Sequence, residues 1–279
     1  MHTVMIPKTI GSWTALKLEY LDHYLQAYRN VTKKAAQAYY IDLFAGCGDC
    51  VLRKTGWPLR GSPWRALEVA PPFQDYFFVE KDLKLAAYLD SRITEAGIKN
   101  ARVFPGDCNG PALDEILSQC PKHAPAFAFL DPSGLQLKWK TVEKLAKHRL
   151  GKWKMELLIL YPYDMVIRRW IDLPSFANVF SDFYGDDAWR DAQMESKRLG
   201  EGILVKRRRF IDLYTAKIKA LGYKYVDDYG PMGYGKRAYY QVVFASDQPI
   251  GQRIMRAVWS KPRLIPGQLG YEPVKRRVS

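Results

Sequence analysis

Cysteine is scarce: Cys47, Cys50, Cys108 and Cys120 are the only four among 279 residues. Their spacing suits no disulfide framework, and no secretory leader is visible, so a reducing, cytoplasmic setting is expected. No apolar run approaches the roughly 18 to 20 residues that a membrane-crossing helix needs, so no membrane association is expected. Internal repeats, low-complexity tracts and long linkers are missing too. Histidine is as rare as cysteine, and His2, His23, His123 and His148 lie scattered on terminal or helix-associated segments. They read as surface or packing residues, and no Ser-His-Asp set can be assembled from them. Acidic residues are in deficit, 29 against 43 Lys and Arg, leaving a formal charge of +14. Such an excess attracts phosphate backbones through counterion release, and makes nucleic acid the expected partner.

What is present is enough apolar residue, 48% of the chain, to bury a full core without staples. Leu21, Tyr24, Leu25 and Tyr28 recur at helical spacing in "TALKLEYLDHYLQAYRNVTKK", with Ser12 or Thr14 available as the N-cap. From "AYYIDLFAG" onward, strand-like runs alternate with helical ones: "DYFFVEKD", "LKLAAYLDSRITEAGI", "ARVFPGD", "GPALDEILSQC", "APAFAFLDPSG", "TVEKLAKHR" and "KMELLILYPYD". Alternation of this kind predicts βαβ units, hence a mostly parallel sheet with helices on both faces.

The second half changes character. "MVIRRWIDLPSFANVFSDFYGDDAWRDAQ" mixes aromatic, basic and turn-forming residues without a strand, which predicts a helical insertion or cap. Phe210, Ile211, Tyr214, Ile218 and Leu221 then trace one helix face. "YKYVDDYG" and "RAYYQVVFAS" follow as strands joined by a Gly-rich turn, "PMGYGK", close enough to pair antiparallel. The expected organisation is a helical segment over 1–35, a Rossmann-like core over 36–161, a cap over 162–200, the rest of the core over 201–259 and a basic tail over 260–279.

Acidic residues close four successive strands: Asp42 before "AGCG", Glu80 in "FFVEKD", Asp107 in "FPGDCN" and Asp131 in "AFLDPSG". In an open parallel sheet the ligand crevice lies beyond the carboxyl ends of the strands, so the four converge on one rim. Each has a use if the ligand is S-adenosylmethionine. Ala45, Gly46 and Gly48 let the backbone approach closely, with Asp42 placed to accept, directly or through water, from the methionine ammonium. Glu80 can grip the ribose hydroxyls and Asp107 the adenine amine, with Phe44, Lys81 and Cys108 beside them, while Asp131 faces the reactive methyl. The turn lacks the G-x-G-x-x-G order of a dinucleotide site.

The segments "YIDLFAGCG", "RGSPWRALE", "YFFVEKD", "GDCN", "FLDPSGLQLKW", "LLILYP" and "YYQVVFAS" together resemble the three-Cys-motif partner family, TcmP, over about residues 12–250. That family is similar to Rossmann-like class I S-adenosylmethionine-dependent methyltransferases. The resemblance implies an α/β doubly wound sheet of seven strands ending in an antiparallel hairpin, S-adenosylmethionine as cofactor, and a three-Cys-motif protein as a partner.

"LDPSG" partly resembles the D-P-P-aromatic loop of enzymes that methylate exocyclic amines of bases. Asp131 and Pro132 fit its first two places and are the expected catalytic pair, whereas Ser133 and Gly134 replace the second proline and the stacking aromatic. Tyr161, Tyr163 or Trp139 could supply that stack. Cys47 and Cys50 lack a second ligand pair for zinc and the pattern of a redox motif, and read as small residues of the cofactor loop. No metal is expected. Nucleic acid is expected on Arg168, Arg169, Trp170, Lys206, Arg207, Arg208, Lys236 and Arg237, with Phe183, Tyr184 and Trp189 of the cap stacking bases. Two other readings stay open. One is a methyltransferase-fold protein that binds nucleic acid or a partner without transfer, and the other a metal-dependent nuclease built on Asp42, Glu80, Asp107 and Asp131.

Overall fold

The computed structural model describes residues 8–35, 37–163, 168–234 and 237–261. Its main sheet is made by β2 (Tyr39–Asp42), β5 (Asp75–Glu80), β6 (Ala101–Pro105), β7 (Ala126–Leu130), β8 (Glu156–Tyr161), β9 (Tyr225–Tyr234) and β10 (Arg237–Ser246). These stand in the order β6-β5-β2-β7-β8-β10-β9. All neighbours run parallel except β10, which is antiparallel to both β8 and β9. The chain starts at the centre with β2, moves outward through β5 and β6, then returns to β7 on the other side. The switch point therefore lies between β2 and β7.

Strand periodicity decides which helices cover which face. On one face Ile41, Phe77, Val79, Ala128, Leu130 and Ile159 pack with α4 (Pro111–Gln119), α5 (Trp139–His148) and α9 (Ile203–Ala220). On the other, Tyr40, Tyr76, Phe78, Phe127, Phe129 and Leu158 pack with α1 (Ser12–Thr32), α2 (Ser62–Leu67), α3 (Leu83–Glu95) and α10 (Pro249–Ser260). The alternation in "AFAFL" thus puts alanines under one layer and phenylalanines under the other. Helix α1 buries Leu21, Tyr24 and Leu25 completely, so the N-terminal helix is part of the core layer. Between β8 and α9 lie the short helix α6 (Arg168–Trp170), a 3-10 turn at Pro174–Phe176, α7 (Ala177–Tyr184) and α8 (Ala188–Arg198).

Two local expectations are corrected, and one element is new. Helix α1 is capped by Gly11, with no side-chain cap bond, because the helix begins at Ser12 itself and Thr14 is already inside its first turn. The expected turn "PMGY" is strand: Met232 pairs with Tyr240 and Gly233 with Ala238, with register shifts on either side of Tyr240. An edge strand tolerates Pro231 where a central one would not. A small parallel and antiparallel sheet, β1 (Lys8–Ile10), β3 (Asp49–Leu52) and β4 (Pro58–Arg60), in the order β1-β3-β4, has no counterpart in the sequence reading. Among the described residues no helix is long and apolar enough to cross a membrane.

At the start of β8, Glu156 is buried and accepts from the Tyr24 and Ser246 hydroxyls at 2.6 Å each. Burial raises its pKa, and the two hydroxyls only partly offset this. Tyr24→Phe removes one donor and leaves a buried carboxylate oxygen unmet. Denaturant unfolding should show a loss of about 1–3 kcal/mol with an unchanged m-value.

Candidate active site

A cavity of about 710 Å³ opens beyond the carboxyl ends of β2, β5, β6 and β7, within the size range of small-molecule sites. Its floor is the loop after β2, with Phe44, Ala45, Gly46 and Gly48 on its surface. Gly46 and Gly48 have φ of +64° and +79°, left-handed values that a side chain disfavours. A Cβ on Gly48 would also lie 2.9 Å from Nε1 of Trp64, so α2 closes tightly over the loop.

Glu80 holds this loop in place. Its Oε2 accepts from the Gly46 amide at 2.8 Å and its Oε1 from the Asp82 amide at 2.9 Å. Asp82 in turn caps α3 by accepting from the amides of Lys84 and Leu85. One carboxylate at the end of β5 thereby joins the loop after β2 to the start of α3. Glu80 still lines the cavity, as do Lys81, Asp107 and Cys108. Asp107 accepts from the Asn109 amide at 2.9 Å and from Nζ of Lys81 at 3.0 Å. Burial would raise Asp107, but these donors reverse it and hold the carboxyl below the usual range. Asn109 also donates to the Gln136 carbonyl and accepts from the Lys138 amide, tying the loop after β6 to the loop after β7.

Asp42 is the exception among the four strand-end carboxylates. It is wholly inaccessible and sits beneath the loop rather than on the cavity wall. Its Oδ1 accepts from the Phe44 amide at 3.0 Å, while Oδ2 is buried without a hydrogen-bond partner. Burial pushes the carboxyl up to about 7, against the pull of the Ser62 hydroxyl, the Phe44 amide and Lys17. Asp42 is therefore no part of the cavity lining, although its neighbours Leu43 and Phe44 are.

Asp131 and Pro132 line the other end of the cavity with Ser133 and Gln136. Asp131 is ion-paired with Lys17, whose side chain is 7% exposed and which comes from α1. The Lys17 ammonium also lies 5.3 Å from the ring centre of Trp13, and Trp13 stacks on Tyr240 at 4.9 Å. Lys17, Trp13 and Tyr240 all line the cavity, and none was singled out by sequence. Lys17 looks like any polar residue of an amphipathic helix, so its sequence carries no signal of this role. The aromatics proposed to complete the "DPSG" loop are elsewhere: Tyr161 and Tyr163 are sealed in the core, Trp139 is 6% exposed, and none lines the cavity.

The cysteines are buried or half-buried and free, with burial pushing Cys50 up to about 11 and Cys108 and Cys120 up to about 12. These three thiols stay protonated and unreactive. Among the described residues no three His, Cys, Asp or Glu side chains gather as metal ligands, so the four strand-end carboxylates do not form a metal cluster.

The expected nucleic-acid surface is corrected in several places. Phe183, Tyr184 and Trp189 are at most 2% exposed and hold the cap together, so they cannot stack bases. Trp170 is half-buried against Phe176 at 4.6 Å. Arg208 is held by both oxygens of Asp228 and by Asp212, which cancels its charge locally. The Arg207 guanidinium lies 5.3 Å from the Tyr163 ring centre, and Lys206 beside it is half-buried. Arg168 and Arg169 are exposed on α6. None of these residues lines the cavity. Lys236 and the side chain of Arg237 lie outside the described residues.

Two consequences can be measured. Lys17→Met leaves the mostly buried Asp131 without its cation, and should cost about 1–3 kcal/mol in denaturant unfolding. Most of that loss should vanish in the Lys17→Met, Asp131→Asn double variant, which a double-mutant cycle reads directly. Asp42 has a folded pKa above its unfolded value, so it favours the folded state most at low pH, and this contribution fades as pH rises from about 4 to about 7. Asp42→Asn should flatten the stability profile across that window when melting temperature is followed against pH.

No protein-family model matches the chain. No curated protein matches it either. Among solved structures it is similar to an rRNA methylase from Streptococcus thermophilus, with a TM-score of 0.40 and 12% identity over 84% of this chain and 95% of that one. It is also similar to the METTL16 MTase domain, at TM-score 0.42 and 10% identity over 83% and 66% of the two chains. A third similarity is to M. jannaschii TYW2 in complex with AdoMet, at TM-score 0.35 and 12% identity over 81% and 74%. These likenesses are too low for the activities or ligands of those proteins to be transferred to this one.

Proposed function

We propose that this protein is an S-adenosylmethionine-dependent methyltransferase whose acceptor is nucleic acid. The observation that carries the reading is the construction of one cavity at the switch point. One end is a glycine turn latched by Glu80, with Asp107 on its rim, and the other is Asp131 and Pro132. The donor set fits the cofactor. Glu80 and Asp107 offer acceptors for ribose hydroxyls and an adenine amine, and Gly46 leaves open space where a side chain would stand. The orphaned Oδ2 of Asp42 is a buried acceptor beneath the same loop, and an ammonium held above it would favour its charged form. The antiparallel β10 beside β8 is also how the Rossmann-like methyltransferase fold ends.

A bound sulfonium supplies an already activated methyl group. The protein's own residues are then asked for alignment and exclusion of water rather than for strong acids or bases. Asp131 accepts from an incoming amine and orients its lone pair, with Pro132 beside it. Lys17 fixes Asp131 by one oxygen, Oδ2, which leaves Oδ1 for the acceptor. The resemblance to the three-Cys-motif partner family belongs to the same reading, together with a three-Cys-motif partner protein.

The Lys17 pair favours one second reading, in which a protein of this fold binds the cofactor without transferring its methyl group. The carboxylate expected to receive the acceptor already holds a cation.

Titration calorimetry with S-adenosylmethionine and S-adenosylhomocysteine tests the cavity. Micromolar affinity is expected. Asp107→Ala, at a partly exposed rim position, should weaken it about tenfold, and Glu80→Ala should abolish it by removing a charged acceptor and freeing the loop. A folded wild type that binds neither ligand overturns the reading. Binding followed by no transfer of labelled methyl to DNA or RNA selects the second reading.

A further inference from the structure

The cations on the cavity wall fall into two groups. Lys17, Lys81 and Lys138 each face a carboxylate, respectively Asp131, Asp107 and Asp182. Lys8 and Arg53 also line the cavity, are exposed, and are engaged by no carboxylate among the described residues. Both sit at the small sheet that borders the cavity. Lys8 opens β1, and Arg53 follows β3 and donates its amide to the Ile10 carbonyl at 2.8 Å.

The hairpin between β3 and β4 continues this edge with Arg53, Lys54, Thr55, Gly56 and Trp57. Gly56 takes φ +69° to make the turn, and Trp57, whose carbonyl accepts from the Leu52 amide at 2.8 Å, is left 50% exposed at its base. The arm is firmly based: Ile10, Leu52 and Leu59 pack with Ala15 and Leu18 of α1 in a separate apolar cluster. Nearby acids are already engaged, Glu68 by Arg60 and Asp49 by Tyr88 and Arg92. An arm that presents Lys8 and Arg53 beside the cavity and an exposed indole at its turn has the chemistry of a phosphate contact joined to a stacking platform.

We propose that the β3–β4 hairpin is a docking arm for single-stranded nucleic acid. Lys8 and Arg53 contact its phosphates and Trp57 stacks one of its bases, so that a neighbouring unpaired base is directed to the Asp131 end of the cavity. A single strand is the occupant because an indole can stack only on a base already out of its helix, and the cavity itself can take only an extruded base. The proposal rests on the reading of the cavity as a methyl-transfer site, and it moves substrate contact from the cap to the opposite half of the sequence.

Fluorescence anisotropy of labelled oligothymidylate and oligouridylate of roughly 12 nucleotides, at low salt and without cofactor, tests it. Wild type should bind both, and more tightly than a duplex of the same length. Trp57→Ala should weaken binding roughly tenfold and Arg53→Glu by at least as much, with a shallower salt dependence for the latter. Arg169→Glu on α6 should change it less than twofold. Thermal melting of Trp57→Ala and its affinity for S-adenosylhomocysteine should match wild type, since Trp57 does not line the cavity. Undiminished binding in both hairpin variants, preference for duplex, or no binding of any oligonucleotide overturns the proposal. Hairpin-dependent binding in a protein that ignores S-adenosylhomocysteine keeps the arm and removes the methyltransferase reading.

Discussion

The buried pair between Lys17 and Asp131 is the constraint on which the geometry of the site depends. It joins the N-terminal helix to the carboxyl end of β7, and so decides that α1 and the small sheet ahead of it lie over the cavity rather than beside it. A buried ion pair adds little to net stability, because desolvation offsets the Coulombic gain. Its effect is on position. Once Lys17 is inserted, leaving either charge alone is costly, so only arrangements that bring α1 across the strand ends are populated. A second set of charges reinforces the placement: Arg65 of α2 reaches Glu19 at 2.9 Å and Asp22 at 3.2 Å, both on α1.

Much of the fold was legible because buried strands leave an unmistakable composition. "YYID", "DYFFVE", "AFAFL" and "ELLILY" are apolar on both faces, and each of the first three ends at or just before an acidic residue, so sheet and rim could be read together. The small sheet escaped because β1 and β4 are three residues long, too short for any periodicity to register. Its position also depends on pairings between residues about 40 apart, such as Lys8 with Cys50. Lys17 and Tyr240 were invisible for a similar reason. Nothing in "TALKLEY" or "AYYQVV" distinguishes a residue that lines a cavity from one that meets a neighbour elsewhere.

Charge shows most clearly what a sequence withholds. "KRRR" reads as a basic run, yet Arg208 and Arg209 are answered by Asp228, Asp212 and Glu201, two of which are distant or beyond the preceding turn. "DFYGDDAW" reads as an aromatic surface, yet Phe183, Tyr184 and Trp189 form the inside of the cap. Runs in sequence record how much charge or ring a segment carries, not how much remains after folding. The exposed Arg53 and Trp57, by contrast, sit in a stretch too sparse to look like a binding motif.

The two ends of the cavity differ in how firmly they are held. At the Glu80 end, both carboxylate oxygens hold backbone amides that no ligand displaces, so the loop is preorganised and only its outward lone pairs remain for binding. At the Asp131 end, the buried Lys17 ammonium engages one oxygen, Oδ2. A site that fixes one ligand and admits another uses this asymmetry: both oxygens committed where the first is oriented, and one oxygen left over where the second arrives. Under the proposed methyl-transfer reading an amine would meet Oδ1 while Lys17 stays on Oδ2, so the lysine limits the cost of keeping a mostly buried carboxylate charged before an acceptor is present.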